Sequence, residues 1–309
     1  MQFDLFPPPP LDTTADRALA AQRPPGLFLG TSSWTFPGWA GIVYRGRPKL
    51  EELVDHGLEE YARHPLFNTV GIDRSFYAPL SVDEWRGYAR QLPPGFRCLV
   101  KVWNAVTRPG PQFLDPAFFS DSVLTPLDTA FREHVGPLLF QFTPLGRGEL
   151  PRPNDFAFKL DRFFSKLPKA FQYAVELRNS ELLTPSYFQA LARNQVAHVF
   201  NHWERMPAVH EQLALQGSLT APHVVCRLLI PQGVGYEEAR EAFAPFDRLQ
   251  APDETMRASV VSLWNACRAA GRSLTIIVNN KAEGSSPLTV RALLERLVTS
   301  APSGAPSHS

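Results

Sequence analysis

Eight short apolar runs of strand character alternate along this chain with segments whose apolar residues recur at helical spacing. The runs are Leu27–Ser32, Thr69–Asp73, Phe96–Lys101, Leu138–Phe142, Tyr173–Leu177, Val196–Asn201, His223–Leu228 and Leu274–Asn279. The candidate helices are Lys49–Arg63, Val82–Gln91, Pro116–His134, Asp155–Leu167, Pro185–Arg193, Glu254–Ala270 and Pro287–Val298, with a weaker pattern over Met206–Ser218. Strands that alternate with helices of this length imply parallel strands joined by right-handed crossovers. We therefore predict an α/β fold, a TIM-like (β/α)8 barrel, in preference to an open doubly wound sheet.

The two ends of the chain differ from this pattern in composition. Proline is concentrated at Pro7-Pro8-Pro9-Pro10 and Pro24-Pro25, and the last residues are mostly serine, proline and alanine. Such segments bury too little apolar surface to offset the entropy of ordering them. We predict a flexible proline-rich arm over residues 1–25, one barrel domain over residues 26–299 and a flexible tail over residues 300–309.

Composition argues against several classes of protein. Hydrophobic residues make up 44% of the chain, which suits a large core, and a net charge of +1 provides no global attraction to nucleic acid or membranes. The three cysteines, Cys98, Cys226 and Cys267, are far apart and form no C-x-x-C motif, so we expect neither a disulfide framework nor a zinc ribbon. With no signal peptide and no apolar run of about 20 residues, we expect a cytoplasmic protein.

The segment Tyr173-Ala-Val-Glu-Leu-Arg178 carries the clearest functional signal. Because successive strand side chains alternate between two faces, Ala174, Glu176 and Arg178 share one face. Charged groups at the end of an apolar strand are poor core residues, but barrel enzymes place their chemistry at the carboxyl ends of the strands. Other apolar runs end in the same way, with Lys101, Gln141, Asn201, Arg227 and Asn279-Asn280.

These strand ends belong to a series of short motifs in a fixed order. The motifs are Gly30-Thr-Ser-Ser-Trp34 with Pro37 and Trp39, Phe67-Asn-Thr-Val70 with Ser75-Phe-Tyr77, Phe96 with Val100-Lys101, Gly136-Pro-Leu-Leu-Phe-Gln141, Ala174-Val-Glu-Leu-Arg178, Arg227, and Asn279-Asn280 with Glu283-Gly284. In these motifs the chain, from about Phe28 to Leu297, resembles the domain-of-unknown-function 72 family (YecE-like proteins). The resemblance implies a TIM-like (β/α)8 barrel and no established activity.

The chain departs from that family pattern at the predicted barrel mouth. Gly71 replaces a glutamate and Asp73 replaces an asparagine, while Arg108, Leu229 and Lys281 stand where the resemblance would place histidines. One carboxylate and three imidazoles are therefore missing. The replacements indicate either a loss of activity or a site adjusted for greater anion affinity.

Three cations and two carboxylates form the centre of the predicted site. Glu176 is the candidate acid or base, with Lys101 and Asp73 as further catalytic candidates. Arg178 and Arg227 are candidate ligand-binding residues, because a guanidinium binds carboxylate or phosphate through two N–H groups. The alternative is that Glu176 and Arg178 form a structural ion pair. For Lys101 we favour electrostatic stabilisation over imine chemistry.

The remaining candidates are polar or aromatic side chains that could orient a ligand. They are Ser32, Trp34, Tyr77, Gln141, Asn201, Asn279 and Asn280. Amides donate and accept hydrogen bonds, the hydroxyl after the first strand suits a phosphate, and aromatic rings could form a wall. Their structural alternatives are a turn for Asn280, a satisfied core amide for Gln141 and packing of a rim loop for Tyr77.

Metal and nucleotide sites are weakly indicated. His198 and His202 would lie roughly 13 Å apart on a strand and could not share an ion. A site of Asp73, Glu176 and His202 across three strands remains an alternative. No G-x-G-x-x-G, G-x-x-x-x-G-K-[ST] or G-x-S-x-G motif occurs in the sequence. We therefore expect no cofactor and no metal.

An excess of cations predicts a small anionic ligand as the partner of this protein. We expect a metal-independent enzyme of the hydrolase or isomerase type that acts on a small, phosphorylated or carboxylated molecule at the C-terminal rim of the barrel. One alternative is a non-catalytic ligand-binding or scaffolding barrel. The other is a metal-dependent phosphodiesterase or isomerase that uses Asp73, Glu176 and His202.

Overall fold

A computed structural model of the chain describes residues 10–146 and 148–300. Eight parallel strands form one sheet in the order β1-β8-β7-β6-β5-β4-β3-β2, which curls into a nearly closed barrel. The strands are β1 Leu27–Thr31, β2 Gly71–Ile72, β3 Cys98–Lys101, β4 Val135–Gln141, β5 Tyr173–Glu176, β6 Ala197–His202, β7 His223–Leu228 and β8 Ser273–Val278. The predicted TIM-like (β/α)8 barrel is confirmed, and each strand overlaps the run that predicted it.

Helices precede, connect and follow the strands, and all of them except α1 and α9 overlap the segments predicted from helical spacing. They are α1 Thr14–Ala20, α2 Leu50–Arg63, α3 Val82–Ala89, α4 Pro116–Phe119, α5 Thr125–Phe131, α6 Pro153–Phe164, α7 Pro185–Arg193, α8 Val209–Ala214, α9 Tyr236–Phe243, α10 Glu254–Ala269 and α11 Ser286–Thr299. The single helix predicted over Pro116–His134 is divided by a π-helical segment, Ser120–Leu124, between α4 and α5. Pro126 has no N–H to bond the carbonyl of Ser122, which explains the irregular turn.

The start of the described chain differs from the predicted flexible arm. Residues 14–20 form α1, and Asp16 on this helix pairs with Arg291 of α11 at 2.8 Å. Arg23 donates to the carbonyl oxygens of Pro65 and Leu66 at 3.0 and 2.7 Å. Proline is confined to the two sides of α1, so it does not prevent a short docked helix. Residues 1–9 and 301–309 of the predicted arm and tail lie outside the described residues.

The sheet has a hydrophobic cluster on each of its two faces, one inside the barrel and one beneath the helices. A small interior cluster is formed by Leu99, Leu139, Ala174, Ala197, Val199, Ala221, Val225 and Ile277. A much larger cluster fills the space between sheet and helices and includes Tyr173, Val175 and Leu177. Cys98 and Cys226 are buried in this outer layer. The two faces of β5 therefore have the alternation that the sequence predicts.

A side chain joins β1 to the segment before β2, and the described residues contain no β1–β2 ladder. The Asn68 amide accepts from Leu29 N at 2.8 Å and donates to Leu27 O at 3.1 Å. Asn68 N also donates to Leu29 O at 3.2 Å. A Cβ atom on Gly30 would lie 2.0 Å from Thr69 O, so only glycine permits this approach of the two backbones.

Within the described ranges, 10–146 and 148–300, the helices include none that combines the length and apolar character needed to cross a membrane.

Replacing Asn68 with Ala should weaken the closure of the barrel. The change leaves a backbone N–H and a backbone C=O of β1 without partners, so we expect the free energy of unfolding to fall by about 2–4 kcal/mol. Urea unfolding followed by circular dichroism measures this. Asn154→Ala, on the exposed surface of α6, is the matched control. Equal effects of the two substitutions would show that the Asn68 amide does not stabilise the junction between β1 and the segment before β2.

Candidate functional site

A layer of polar side chains lies one pleat above the interior apolar cluster. Each polar residue follows an apolar interior residue by two positions, so both point into the barrel. The pairs are Leu99 and Lys101, Leu139 and Gln141, Ala174 and Glu176, Val199 and Asn201, Val225 and Arg227, and Ile277 and Asn279. The structure therefore brings together at one end of the barrel six residues that the sequence predicts for the site.

Glu176 is the centre of this polar layer. Its Oε1 lies 2.5 Å from Arg178 Nη2, and its Oε2 accepts from Arg227 Nη1 at 2.5 Å. Arg227 Nη1 also donates to Gln141 Oε1 at 3.1 Å. The Glu176 side chain is 0% exposed, so its charge depends on these partners for stabilisation.

The ion pairs keep the buried groups of this layer charged. Burial opposes the ionisation of Glu176, but Arg178, Arg227 and Lys101 outweigh it and hold the pKa of Glu176 below its ordinary value. Burial lowers the pKa of Arg178 to about 10 despite the opposing effect of Glu176. Burial also opposes the charge of Arg227, but Glu176 and Asp73 outweigh it and raise the pKa of Arg227. Both guanidiniums are therefore cations at neutral pH.

Lys101 is held less tightly than the two arginines. Its Nζ lies 3.7 Å from Asp73 Oδ1 and 4.0 Å from the centroid of the Phe76 ring. The same Asp73 oxygen lies 3.8 Å from Arg227 Nη2. Burial lowers the pKa of Lys101 and the neighbouring guanidiniums add to this, while Asp73 and Glu176 oppose it. Burial thus favours loss of the Lys101 proton, and the single carboxylate near Nζ, at 3.7 Å, is a looser partner than those of the arginines.

Asn201 and Ser32 are among the residues with a buried polar atom that has no hydrogen-bond partner within the described residues. Asn201 donates through Nδ2 to Leu177 O at 2.8 Å, but its Oδ1 is buried and unpartnered. The Ser32 hydroxyl is likewise buried without a partner. Asn279 caps the following turn by accepting from Lys281 N at 3.0 Å. Asn201 Oδ1 and Ser32 Oγ are thus buried without a partner in the described part of the chain, whereas the Asn279 oxygen is used by the backbone.

Trp34 and Tyr77 do not form the aromatic wall that we considered. Trp34 is buried behind the barrel wall, where its Nε1 donates to Leu53 O at 3.0 Å and its ring packs edge-on against Tyr88. Tyr77 is 73% exposed and packs edge-on against Phe76, the residue that contacts Lys101. Trp34 therefore has a structural environment, and Tyr77 lies at the rim rather than inside the polar layer.

Asn280 also has structural contacts. Its Oδ1 accepts from Trp39 Nε1 at 3.2 Å and from Ser286 N and Oγ at 2.8 and 2.7 Å. These bonds connect the loop after β8 to the start of α11. The turn interpretation of Asn280 matches this geometry better than ligand binding does.

The metal alternative that includes His202 does not fit the geometry. His202 is on the outer face of β6, opposite to Asn201, and its Nε2 lies 3.4 Å from Asp253 Oδ2. Asp253 in turn caps α10 by accepting from Met256 N at 2.8 Å. In the part of the chain that the structure describes, no three His, Cys, Asp or Glu residues are placed to hold a metal ion.

Two aromatic residues near the cations escaped the sequence analysis. The Arg178 Cζ lies 4.6 Å from the centroid of the Trp203 ring, and Lys281 Nζ lies 4.3 Å from that of Tyr236. Trp203 directly follows β6, so its position at a strand end was a usable signal. Tyr236 begins α9, which the sequence analysis missed, and only tertiary folding brings it to Lys281.

The positions that depart from the family pattern have different environments. Gly71 adjoins Ser32, and a Cβ atom there would lie 3.0 Å from Ser32 O. Leu229 is buried in a small apolar cluster that Trp203 packs against. Arg108 is exposed, and Lys281 is buried. Of the two added cations, Lys281 is the one enclosed by protein.

Replacing Glu176 with Gln should be strongly destabilising. The substitution leaves the two guanidiniums without their carboxylate, and we expect a loss of about 3–5 kcal/mol in the free energy of unfolding at pH 7, measured in urea. Glu59→Gln, which removes an exposed pair with Arg63, is the control and should cost less than about 1 kcal/mol.

The difference between wild type and Glu176→Gln should shrink in acid. A carboxyl group with a lowered folded pKa contributes stability above its unfolded value, near 4.3, and loses that contribution as the pH falls through the folded pKa. Unfolding measurements from pH 7 to pH 3 test this. A difference that stays constant or grows in acid would contradict the lowered pKa of Glu176.

Comparison with known proteins agrees with this architecture. The family model described as "Protein of unknown function DUF72" matches residues 28–308. A DUF72 family protein from Enterococcus faecalis V583 is 18% identical, with a TM-score of 0.62 over 87% of this chain and 95% of that chain. A DUF72 family protein from Thermotoga maritima MSB8 is 18% identical, with a TM-score of 0.60 over 88% of this chain and 99% of that chain. No curated protein matches the sequence. The solved structures show the same fold, and the match over most of the sequence shows that the chain belongs to the DUF72 family.

Proposed function

We propose that this barrel binds a small anionic molecule, a carboxylate or a phosphate ester, at the carboxyl ends of its strands. The observation that carries the proposal is the excess of cations in the polar layer. Among residues 10–146 and 148–300, Lys101, Arg178 and Arg227 contact only two carboxylates, Glu176 and Asp73. A bound anion would balance the remaining positive charge and accept hydrogen bonds from guanidinium groups.

The contacts of Glu176 support a positioning role rather than the acid–base role that we expected from the sequence. Both carboxylate oxygens lie within 2.5 Å of a guanidinium nitrogen, and the pKa of Glu176 is lowered. A carboxylate stabilised in this way is a weak base, because protonation would sacrifice both ion pairs. Glu176 thus holds the two arginines in place for the ligand.

Lys101 is the better candidate for proton transfer. Its pKa is lowered, its Nζ is 3.7 Å from the nearest carboxylate oxygen, and it lies beside both arginines. A lysine that loses its proton readily can act as a general base, with Asp73 beside it to stabilise the protonated form. The function that combines these features is metal-independent acid–base chemistry of the hydrolase or isomerase type.

Binding without chemistry is a second candidate function. It is favoured by the ion pairs that occupy both oxygens of Glu176. It is also favoured by Gly71, which has no side chain where the resemblance would place a glutamate. Both candidates require the anion site, and only the first requires a Lys101 that titrates at an unusually low pH.

Anions should stabilise the protein through Arg178. A ligand present at about 100 times its dissociation constant adds about 2.7 kcal/mol of stability. We expect phosphate, sulfate, a sugar phosphate or a small carboxylate to raise the melting temperature of the wild type in a thermal-shift assay. Arg178→Gln should lose this response, and Arg132→Gln, which changes an exposed arginine directly after α5, should keep it. The proposal fails if no anion shifts the wild type, or if Arg178→Gln responds equally.

Lys101 should titrate below the ordinary lysine value of about 10.4. Lysine labelled with ¹³C at Cε reports each ammonium group by NMR, and Lys101→Arg assigns the signal. Asp73→Asn should lower the Lys101 pKa further, because Asp73 opposes the effect of burial. A Lys101 signal that titrates together with the exposed lysines would exclude the base role and leave binding as the function.

A further inference from the structure

A largely apolar cavity adjoins the polar layer beside β5. It encloses about 320 Å³ and is lined mainly by residues that follow β3, β4 and β5. Its wall includes Phe113, Phe142, Phe156, Leu145 and Leu182. The Phe142 ring packs edge-on against Phe113 and Phe156, with centroids 6.3 and 5.1 Å apart, so the three rings support one another. The size and the lining are typical of a small-molecule site.

Arg178 is common to this cavity and to the polar layer. It lines the cavity, while its Nη2 pairs with Glu176 and its Cζ stacks on Trp203. Its side chain is 8% exposed, and its Nε has no hydrogen-bond partner within the described residues. A buried N–H without a partner is costly. An anionic group bound where the cavity meets the polar layer would supply the missing acceptor.

The wall of the cavity is held in place by the residue after Arg178. The Asn179 amide accepts from Leu145 N at 2.8 Å and donates to Leu145 O at 3.1 Å. One short segment therefore positions both the cation and Leu145 of the cavity wall. Such an arrangement forms the cavity before a ligand binds, which reduces the ordering cost of binding.

Two oppositely charged side chains also line the cavity. Glu149 is exposed, and its carboxylate accepts from Gly146 N at 3.1 Å. Lys159 Nζ lies 5.8 Å from the centroid of the Phe113 ring. Among the aromatic rings, an ionised ligand group would lose its hydration without gaining a close partner. The cavity therefore favours an uncharged, apolar group.

We propose that the ligand of this barrel carries an apolar group, an aromatic ring or a short alkyl chain, which fills the cavity while its carboxylate or phosphate binds at Arg178. An apolar cavity of about 150 Å³ holds benzene, so the volume here accepts a substituted ring or a chain of several carbons. This inference rests on the proposed function and narrows its ligand to amphipathic anions.

A chain-length series tests the cavity separately from the anion site. Isothermal titration calorimetry would compare acetate, butyrate, hexanoate and octanoate, and in parallel inorganic phosphate, butyl phosphate and phenyl phosphate. We expect affinity to rise by roughly fourfold per methylene group until the cavity is full, and then to stop rising. The two series distinguish a carboxylate from a phosphate as the preferred head group.

Two variants should move the limiting chain length in opposite directions. Thr143→Phe fills part of the cavity and should shorten the best ligand, while Phe113→Ala enlarges it and should lengthen the best ligand. Thr129→Phe, on the exposed face of α5, should leave the series unchanged. If Thr143→Phe does not fold, as judged by circular dichroism, the limiting chain length of Phe113→Ala alone tests the cavity assignment.

The outcomes separate this inference from the proposed function. A rise in affinity with chain length that the cavity variants shift supports the cavity assignment. Short and long anions that bind equally well to all variants would overturn the cavity assignment and leave the anion site intact. No binding of any anion by the wild type would overturn both.

Discussion

Closure of a parallel sheet is the constraint on which the rest of this structure depends. Parallel strands in a closed barrel present all their carboxyl ends at one rim, so residues distant in sequence meet there. In this chain the β1–β2 seam depends on Asn68, which hydrogen-bonds β1, and on Gly30, which lets the backbones approach. The apolar cluster inside the barrel then forms the base on which the polar layer rests.

The charged groups of the polar layer stabilise one another. Glu176 could not remain ionised at 0% exposure without Arg178 and Arg227, and those two cations could not share a buried space without Glu176. The three groups are therefore one unit, and a substitution at any member changes the others. An excess positive charge remains after this mutual compensation, and burial lowers the pKa of Lys101. These properties make ligand binding and proton transfer the chemistry to test in this family member.

The cavity beside Arg178 gives the site a second chemical character. Ligand sites commonly combine a mostly apolar wall with a few polar groups that fix orientation. Here Arg178 is the point where the wall of phenylalanine rings meets the charged layer. Lys281, buried under Tyr236, adds another cation where the resemblance would place a histidine.

The sequence by itself determined the barrel, the strands within a few residues and six members of the polar layer, because alternation with a period of two follows directly from strand geometry. It did not determine the partners of those residues. Those partners depend on distances between elements far apart in the chain. Examples are the two arginines that pair with Glu176, the structural contacts of Asn280 and Trp34, and the position of His202 beside Asp253. The helix α9 and the docked α1 were missed for the same reason. Local pattern specifies the face on which a side chain lies, but only packing between elements decides what it meets there.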